Sequence, residues 1–488
     1  MNWEVIIILI LYLIAMFLIG VFSSKWVRKS SDFTNEYFLG GRQLGGFVLA
    51  MTMFATYASA SSFLGGPGAA YTFGLAWVLL SMTQLVTGYF TLSILGKKFA
   101  IMARKINAVT LVDFLKERYR NKWVVILSAI CIVVFLFALM AAQWVGGGHL
   151  MESVMGIPYV SGLFVFGMVL VIYTVIGGFR AVAITDTIQG VIMLIGSSIL
   201  VVAAVIAGGG INNIMSGLIS ENPNLVSPFG SDQSLSPAYV SSYWVLVGVG
   251  VVGLPQIAVR AISYRSSKSM HSAIMIGTFA VGFVMLVLTL TGVFARVIMP
   301  EVSVADNTLP LLALELLPPW LVGIVLAGPL AAIMSTVSSV LLVASSSIIK
   351  DIYLNYVKPD ATSKTVQRLS YGVTTIIGVI VFFMAIKPPS LLIWLNLFAM
   401  GGLEAAFIWP IVMGLYWKTG NSVGALSSIL TGVIAFICFN TFISNPFGLH
   451  PVVISVILSF LAYVFGSLFT KKRFAAQRSE IVTKFWSA

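Results

Sequence analysis

The sequence predicts an all-α integral membrane protein of about thirteen transmembrane helices, on three observations. Hydrophobic residues fill 59% of the 488 positions and charged residues only 9%, with a mean hydropathy of +1.02. Soluble domains carry roughly 25% charged residues. Uncharged apolar windows such as Val124–Val145 and Val452–Phe469 are long enough to cross a hydrocarbon core of roughly 30 Å as helices. The short alternating segments of an outer-membrane barrel are not found in the sequence. Finally, the net charge of +12 is distributed by side: of the 28 Lys and Arg, all but Arg296 and Lys387 fall in alternate loops. That asymmetry is the positive-inside rule, and it puts the N-terminus outside and the C-terminus in the cytoplasm. The charge is topological and calls for no nucleic-acid partner.

The predicted spans lie near 5–22, 44–74, 76–96, 123–148, 157–178, 187–208, 241–259, 272–297, 317–347, 369–386, 390–416, 423–443 and 450–470. The first follows Glu4 and lacks a basic leader, so it reads as a retained span. Ser23–Arg42 is a cytoplasmic connector. The basic loop Lys97–Lys122 holds an amphipathic piece, Val109–Arg120, expected at the cytoplasmic surface. Gly208–Tyr239 is Asn/Pro/Ser/Gly-rich and reads as an external loop or short lid. Lys471–Ala488 reads as a solvated basic tail near anionic lipid. Cys131 and Cys438, far apart in apolar spans, read as buried thiols. The three histidines have no metal-ligand spacing, and no nucleotide loop or catalytic motif stands out, which argues against an enzyme.

Span two carries the main anomaly. Ala55-Thr-Tyr-Ala-Ser-Ala-Ser-Ser-Phe-Leu-Gly-Gly-Pro-Gly68 is crowded with hydroxyls and ends in residues that interrupt a helical ladder. Irregular backbone at membrane depth is tolerated where it is buried in protein or lines a cavity. The sequence places the break at Gly65–Gly68. Spans two to six and seven to eleven form two units of five, an odd number, so the second enters the membrane inverted. Its first span is again interrupted, by Gly248, Gly250, Gly253 and Pro255. Paired interruptions of this kind point to an inverted-repeat transporter with its site near the midplane. The corresponding division is an N-terminal helix and connector (1–43), a first repeat (44–208), an external loop (209–240), a second repeat (241–416), and two C-terminal helices with the tail (417–488).

A second polar run, Ala331-Ala-Ile-Met-Ser-Thr-Val-Ser-Ser339, lies in span nine. Such hydroxyls commonly bond the carbonyl one turn back. They also suit a hard monovalent cation, which takes several neutral oxygens, and carbonyls near Ala55 and Ala58 facing Ser335 and Thr336 would supply a sodium site. Glu404 reads either as a neutral or paired carboxyl or as a substrate contact, and Asp186 equally as a helix cap or a functional acid. Arg260, near the inner end of span seven, reads as a membrane-edge anchor. Tyr57, Trp144, Trp244 and Trp394 could wall an organic ligand. Ser59, Ser61, Gln143, Gln256 and Asn396 are candidate polar contacts, with half-helix N–H groups for a carboxylate.

These residues also carry a resemblance. Tyr37-Phe-Leu-Gly-Gly-Arg42, Pro67-Gly68-Ala69, Tyr173-Thr-Val-Ile-Gly-Gly-Phe179, Ile184-Thr-Asp-Thr-Ile188, Ala331-Ala-Ile-Met-Ser-Thr336 and Gly414-Leu-Tyr-Trp-Lys-Thr-Gly420 with Gly424-Ala425 occur in order. In these stretches the chain resembles the sodium:solute symporter family over essentially its whole length. Further matches fall in Asn35–Leu39, Ala58–Ser62, Gly65–Tyr71, Lys387-Pro-Pro389, Trp394–Leu397 and Gly401–Ala405. They make the likeness strongest to the family's pantothenate-carrying members. The resemblance implies a leucine-transporter-like core of two inverted five-helix repeats. It also implies a sodium site at Ala55, Ala58, Ala332, Ser335 and Thr336, with Asp186 on the sodium exit path. Tyr57 departs from the proline-carrying relatives, which have an Asp there. The implied activity is sodium-coupled import of pantothenate across the cytoplasmic membrane by alternating access, with sodium as the coupling ion and no cofactor. The alternatives are the same fold carrying a monocarboxylate, amino acid or sugar, or a membrane sensor or channel.

Overall fold

Two of the apolar helices are bent sharply at a short break, and the rest of the molecule is arranged around them. The structure, a computed structural model, describes residues 3–29, 33–387, 392–443 and 445–486. Among these, ten helices are long and apolar enough to cross a membrane, and each bent pair adds one more crossing, giving twelve. The longest of the ten, Tyr159–Ala207, has 49 residues and would run roughly 70 Å if straight, over twice the hydrocarbon thickness. It is divided at Gly178, whose φ of +61° lies in the left-handed region and whose α-carbon packs against the Tyr37 ring. Split there, it supplies spans five and six, and the crossings number thirteen.

Span two is Gly46–Tyr57 followed by Ser61–Phe73, bent by 67°; span seven is Pro237–Gly253 followed by Pro255–Ala261, bent by 57°. The break in span two lies earlier than the sequence suggested. Ala58 is extended (φ −66°, ψ 127°), whereas Gly65–Gly68 is helical, with Pro67 at a first-turn position that needs no N–H donor. The small residues there serve close packing instead: a β-carbon on Gly68 would lie 2.5 Å from the Ala305 carbonyl oxygen. In span seven the extended residue is Leu254 (φ −83°, ψ 119°), followed by Pro255 at the first helical position.

Spans nine (Pro319–Val357) and eleven (Ile393–Tyr416) are the most enclosed, and both flank the breaks. The inner ends of spans two and seven are tied by a parallel bridge between Leu44 and Tyr264. In it the Leu44 N–H donates to Ser263 O at 3.1 Å, and the Arg265 N–H donates to Leu44 O at 3.0 Å.

Four sequence expectations are corrected. Gly208–Tyr239 contains a helix, Ile211–Glu221, anchored by buried Ile214 and Leu218. The amphipathic piece is helix Leu111–Tyr119, started by a Thr110/Asp113 capping box and packed into the protein, with Arg118 bonded to Gly414 O at 2.8 Å. The tail forms helix Ala475–Trp486, docked through buried Ile481 and Phe485 and through Arg120–Glu480 (2.8 Å) and Lys484–Glu117 (2.7 Å) pairs. The hydrogen bond from Arg120 holds the Glu480 carboxyl below its ordinary range. Cys131 is buried as expected, but Cys438 is exposed on an apolar span. Pro388 and Pro389 of the Lys387-Pro-Pro389 match lie outside the described residues.

Candidate functional site

At the break of span two, the chain can no longer satisfy its own carbonyls, and span nine answers with hydroxyls. Ser335 Oγ donates to Ala55 O at 2.7 Å and lies 3.0 Å from Ala332 O. Thr336 Oγ1 lies 2.9 Å from both Ala58 O and Ala332 O. All five residues are buried. Two hydroxyl and three carbonyl oxygens therefore converge from two spans with no carboxylate among them. Turning the two O–H bonds outward would present five neutral oxygens to one point, a donor set that suits a hard cation such as sodium.

On the cytoplasmic side of this cluster lies a buried ion pair. Arg260 Nη2 is 2.9 Å from Asp186 Oδ2, and neither side chain is exposed. Thr52 Oγ1 donates to the same carboxylate oxygen at 2.6 Å, and Arg260 also donates to Thr52 O (3.1 Å), Gln256 O (3.0 Å) and Ser339 Oγ (2.5 Å). Ser339 in turn donates to Ser335 O at 2.7 Å. Arg260 is thus an internal cation and no membrane-edge anchor: a partner 74 residues earlier compensates its charge. Asp186 sits inside the protein, within its helix and well past the Gly178 kink, so it is not a helix cap, and its second oxygen has no hydrogen-bond partner among the described residues.

Toward the other side a cavity opens, enclosing about 520 Å³ of space between its walls, part of it open to solvent. Of the candidate substrate contacts, Tyr57, Ser59, Ser61 and Asn396 line it. A smaller space beneath, about 270 Å³, is bounded by Tyr57, Ser59, Asn396, Gln256 and Thr336. Thr336 therefore belongs both to the oxygen cluster and to the space beneath the cavity.

Other candidates stand elsewhere. Gln143 lies behind the wall: its Oε1 accepts from the Ala60 N–H at 2.7 Å and its Nε2 donates to Asn396 Oδ1 at 3.2 Å, so it caps the outer half of span two. Trp144, fully buried, turns away from the cavity, with its indole against Gly167. Trp244 is half exposed and outside the lining. Their places are taken by Trp77 and Tyr243, joined edge-on at 5.9 Å, while Trp394 meets Trp77 at 6.0 Å above the lining. Glu404 is buried against Gly250 and does not line the cavity. The half-helix N–H groups considered for a carboxylate are largely committed: Ser59 N–H donates to Ser62 Oγ, Ala60 N–H to Gln143, and Ser62 and Phe63 N–H to Ser59 O. Ser81 and Gln84 also line the cavity and are joined at 3.2 Å. With Trp77 they form a polar-tipped stripe at helical spacing in span three, the sequence signal that could have found them.

The family model described as the sodium:solute symporter family matches residues 37–432. A sodium/pantothenate symporter of Escherichia coli (strain K12) is 47% identical over 96% of this chain and 97% of its own length. A sodium/pantothenate symporter of Haemophilus influenzae is 43% identical over 97% and 98%. Among solved structures, a Na+-coupled sialic acid symporter in a substrate-bound outward-open state superposes with a TM-score of 0.80 at 20% identity, over 96% of this chain and 98% of that one. That likeness establishes the fold, the leucine-transporter-like arrangement of inverted five-helix repeats. The relatives are transporters, and a multi-pass membrane location follows from the family and the apolar spans. With its model matched from the first connector to span twelve and two relatives aligned almost end to end, the chain belongs to the sodium:solute symporter family.

Proposed function

We propose that this protein is a sodium-coupled symporter that imports pantothenate across the cytoplasmic membrane by alternating access. The observation that carries the coupling is the position of Thr336, which is shared between the five-oxygen cluster and the space under the cavity. The substrate rests on the near-full-length relatives named for pantothenate. Sodium binds at Ala55, Ala58, Ala332, Ser335 and Thr336, fixes the break of span two against span nine, and thereby shapes the cavity. Pantothenate then lies along Tyr57, Ser59, Ser61 and Asn396, with Gln256 below. The lining holds hydroxyls, amides and aromatic rings but no cationic side chain, so the nearby sodium supplies the positive charge that a carboxylate needs.

The two repeats, 44–208 and 241–416, rock about this site, with the N-terminus outside and the C-terminus in the cytoplasm. Asp186 stands on the inward path of sodium, held by Arg260 until that path opens. One sodium per pantothenate anion moves no net charge, so drawing on the membrane potential, about 2.3 kcal/mol per charge at 100 mV, requires a second cation. Uptake of labelled pantothenate into proteoliposomes tests the reading. Accumulation that appears only with an imposed inward sodium gradient supports it. Sodium-driven accumulation of a monocarboxylate, amino acid or sugar in its place overturns the substrate assignment.

A further inference from the structure

Glu404 is a buried acid for which the cycle above has no use. It is fully enclosed, and neither carboxyl oxygen has a hydrogen-bond partner among the described residues. It follows Asn396 and Met400 at steps of four on one face of span eleven, so it lies one turn beneath the cavity wall, toward the positively charged loops. Opposite stands the interrupted part of span seven. A β-carbon on Gly250 would come 2.5 Å from a Glu404 oxygen, and one on Gly253 would come 3.1 Å from its α-carbon. The two glycines form a cradle that only a side chain without a β-carbon leaves open.

The other neighbours offer no compensating charge. Tyr57 of span two is the titratable side chain within electrostatic reach. Span four brings Phe135 to Gly402, span twelve brings Phe436 to Gly401, and span thirteen brings the Ser459 hydroxyl to Ala405 O. Arg118 donates to Gly414 O and Trp417 O and Tyr119 to Pro410 O, all further toward the cytoplasm. No charged side chain among the described residues faces the carboxyl.

An ionised carboxylate without a partner is costly at such a position. A sodium ion would require several more oxygens than this carboxyl supplies, whereas a proton requires one. We infer that Glu404 is a second ion site of the carrier, for a proton held while span seven is packed against span eleven. When the glycine-lined joint of span seven, Gly250–Gly253, separates from span eleven in the inward-open state, water enters from the cytoplasm, the O–H bond breaks, and the proton passes to that water, leaving the carboxylate. Before the empty carrier can close again, Glu404 takes a proton back from the same side. No net proton crosses, and the return step depends on internal pH. The inference rests on the sodium-driven uptake proposed above.

The test uses the full chain in proteoliposomes at fixed external pH and fixed sodium gradient, with internal pH stepped from about 6 to about 9. Wild-type pantothenate uptake should fall on the alkaline limb by up to about tenfold per pH unit, the limit for one proton. Glu404→Gln should flatten the profile to within about twofold while keeping its sodium dependence. A flat wild-type profile, or a Glu404→Gln profile with the wild-type slope, overturns the inference. Absence of sodium-stimulated uptake in wild type is a separate result, against the pantothenate reading. In that case infrared spectra of the solubilised protein decide the proton alone: a protonated-carboxyl band lost in Glu404→Gln supports it, and an unchanged band overturns it.

Discussion

The two interrupted spans share a backbone shape and differ in what surrounds it. Ala58 and Leu254 adopt nearly the same extended conformation, and the bends are 67° and 57°. Around Ala58 the polar groups are paired: Gln143 caps Ala60, Ser59 bonds Ser61 at 2.8 Å, and Ser335 and Thr336 cover the exposed carbonyls. Around Leu254 they are not, since Gln256 Oε1 and both oxygens of Glu404 lack hydrogen-bond partners among the described residues. The first break is a fixed, hydrogen-bonded wall. The second is a glycine-lined joint. In the proposed cycle the same kink thus takes a binding role or a moving role according to the side chains packed against it. The two spans are also joined differently at their ends. On the inner side Arg260 of span seven grips Thr52 of span two, while on the outer side Trp77 stands between Phe73 and Tyr243.

Cutting the inner join should have the largest effect. Arg260→Ala leaves Asp186 buried and unpaired, and removal of one partner from such a pair costs about 3–5 kcal/mol. Thermal unfolding in detergent should show a smaller loss for Arg260→Ala with Asp186→Ala together; a double variant no more stable than the single one would mean that charge does not make this join. The paired break comes next. Gln143→Ala orphans the Ala60 N–H and the Asn396 amide oxygen, at about 1–3 kcal/mol. Gln256→Met removes an oxygen that has no partner and should cost no more than about 0.5 kcal/mol. Equal costs in the same unfolding assay would erase the contrast between the breaks. Ser335→Ala and Thr336→Ala each remove one of five oxygens. Each should raise the sodium concentration for half-maximal uptake by about tenfold, or about 1.4 kcal/mol. Unchanged sodium dependence in both would reject the placement of the ion.

The sequence made the breaks legible because Gly and Pro inside an apolar span have few other uses, and it made the oxygen cluster legible because adjacent hydroxyls at Ser335 and Thr336 are conspicuous against Ala and Val. It shifted the break of span two toward Gly65–Gly68, since Pro67 reads as a breaker unless its first-turn position is known. Arg260 was misread for a different reason. One residue from the end of its helix it resembles an anchor, and only the fold brings Asp186 to it. Rotation about a helix axis is likewise invisible in composition. Trp144 and Gln143 are neighbours in sequence, yet one faces Gly167 and the other caps span two.

The outer join yields the smallest effect and the sharpest contrast between rings. Trp77 lines the cavity and touches Phe73, Tyr243 and Trp394 at centroid distances of 5.9–6.0 Å. Aromatic pairs add about 0.5–1.5 kcal/mol each beyond burial. Because Trp77 contacts the outer halves of both interrupted spans, Trp77→Leu should weaken the closed cavity and raise the pantothenate concentration for half-maximal uptake by several-fold, about 1 kcal/mol. Trp244, one residue after Tyr243 but half exposed, makes none of these contacts, and Trp244→Leu should stay within about 0.5 kcal/mol. Sodium dependence should be unchanged in both, since neither ring approaches Ser335 or Thr336. If Trp244→Leu weakened uptake as much as Trp77→Leu, the cavity would have to be bounded by the other face of span seven, and the division between a binding break and a moving break would fall with it.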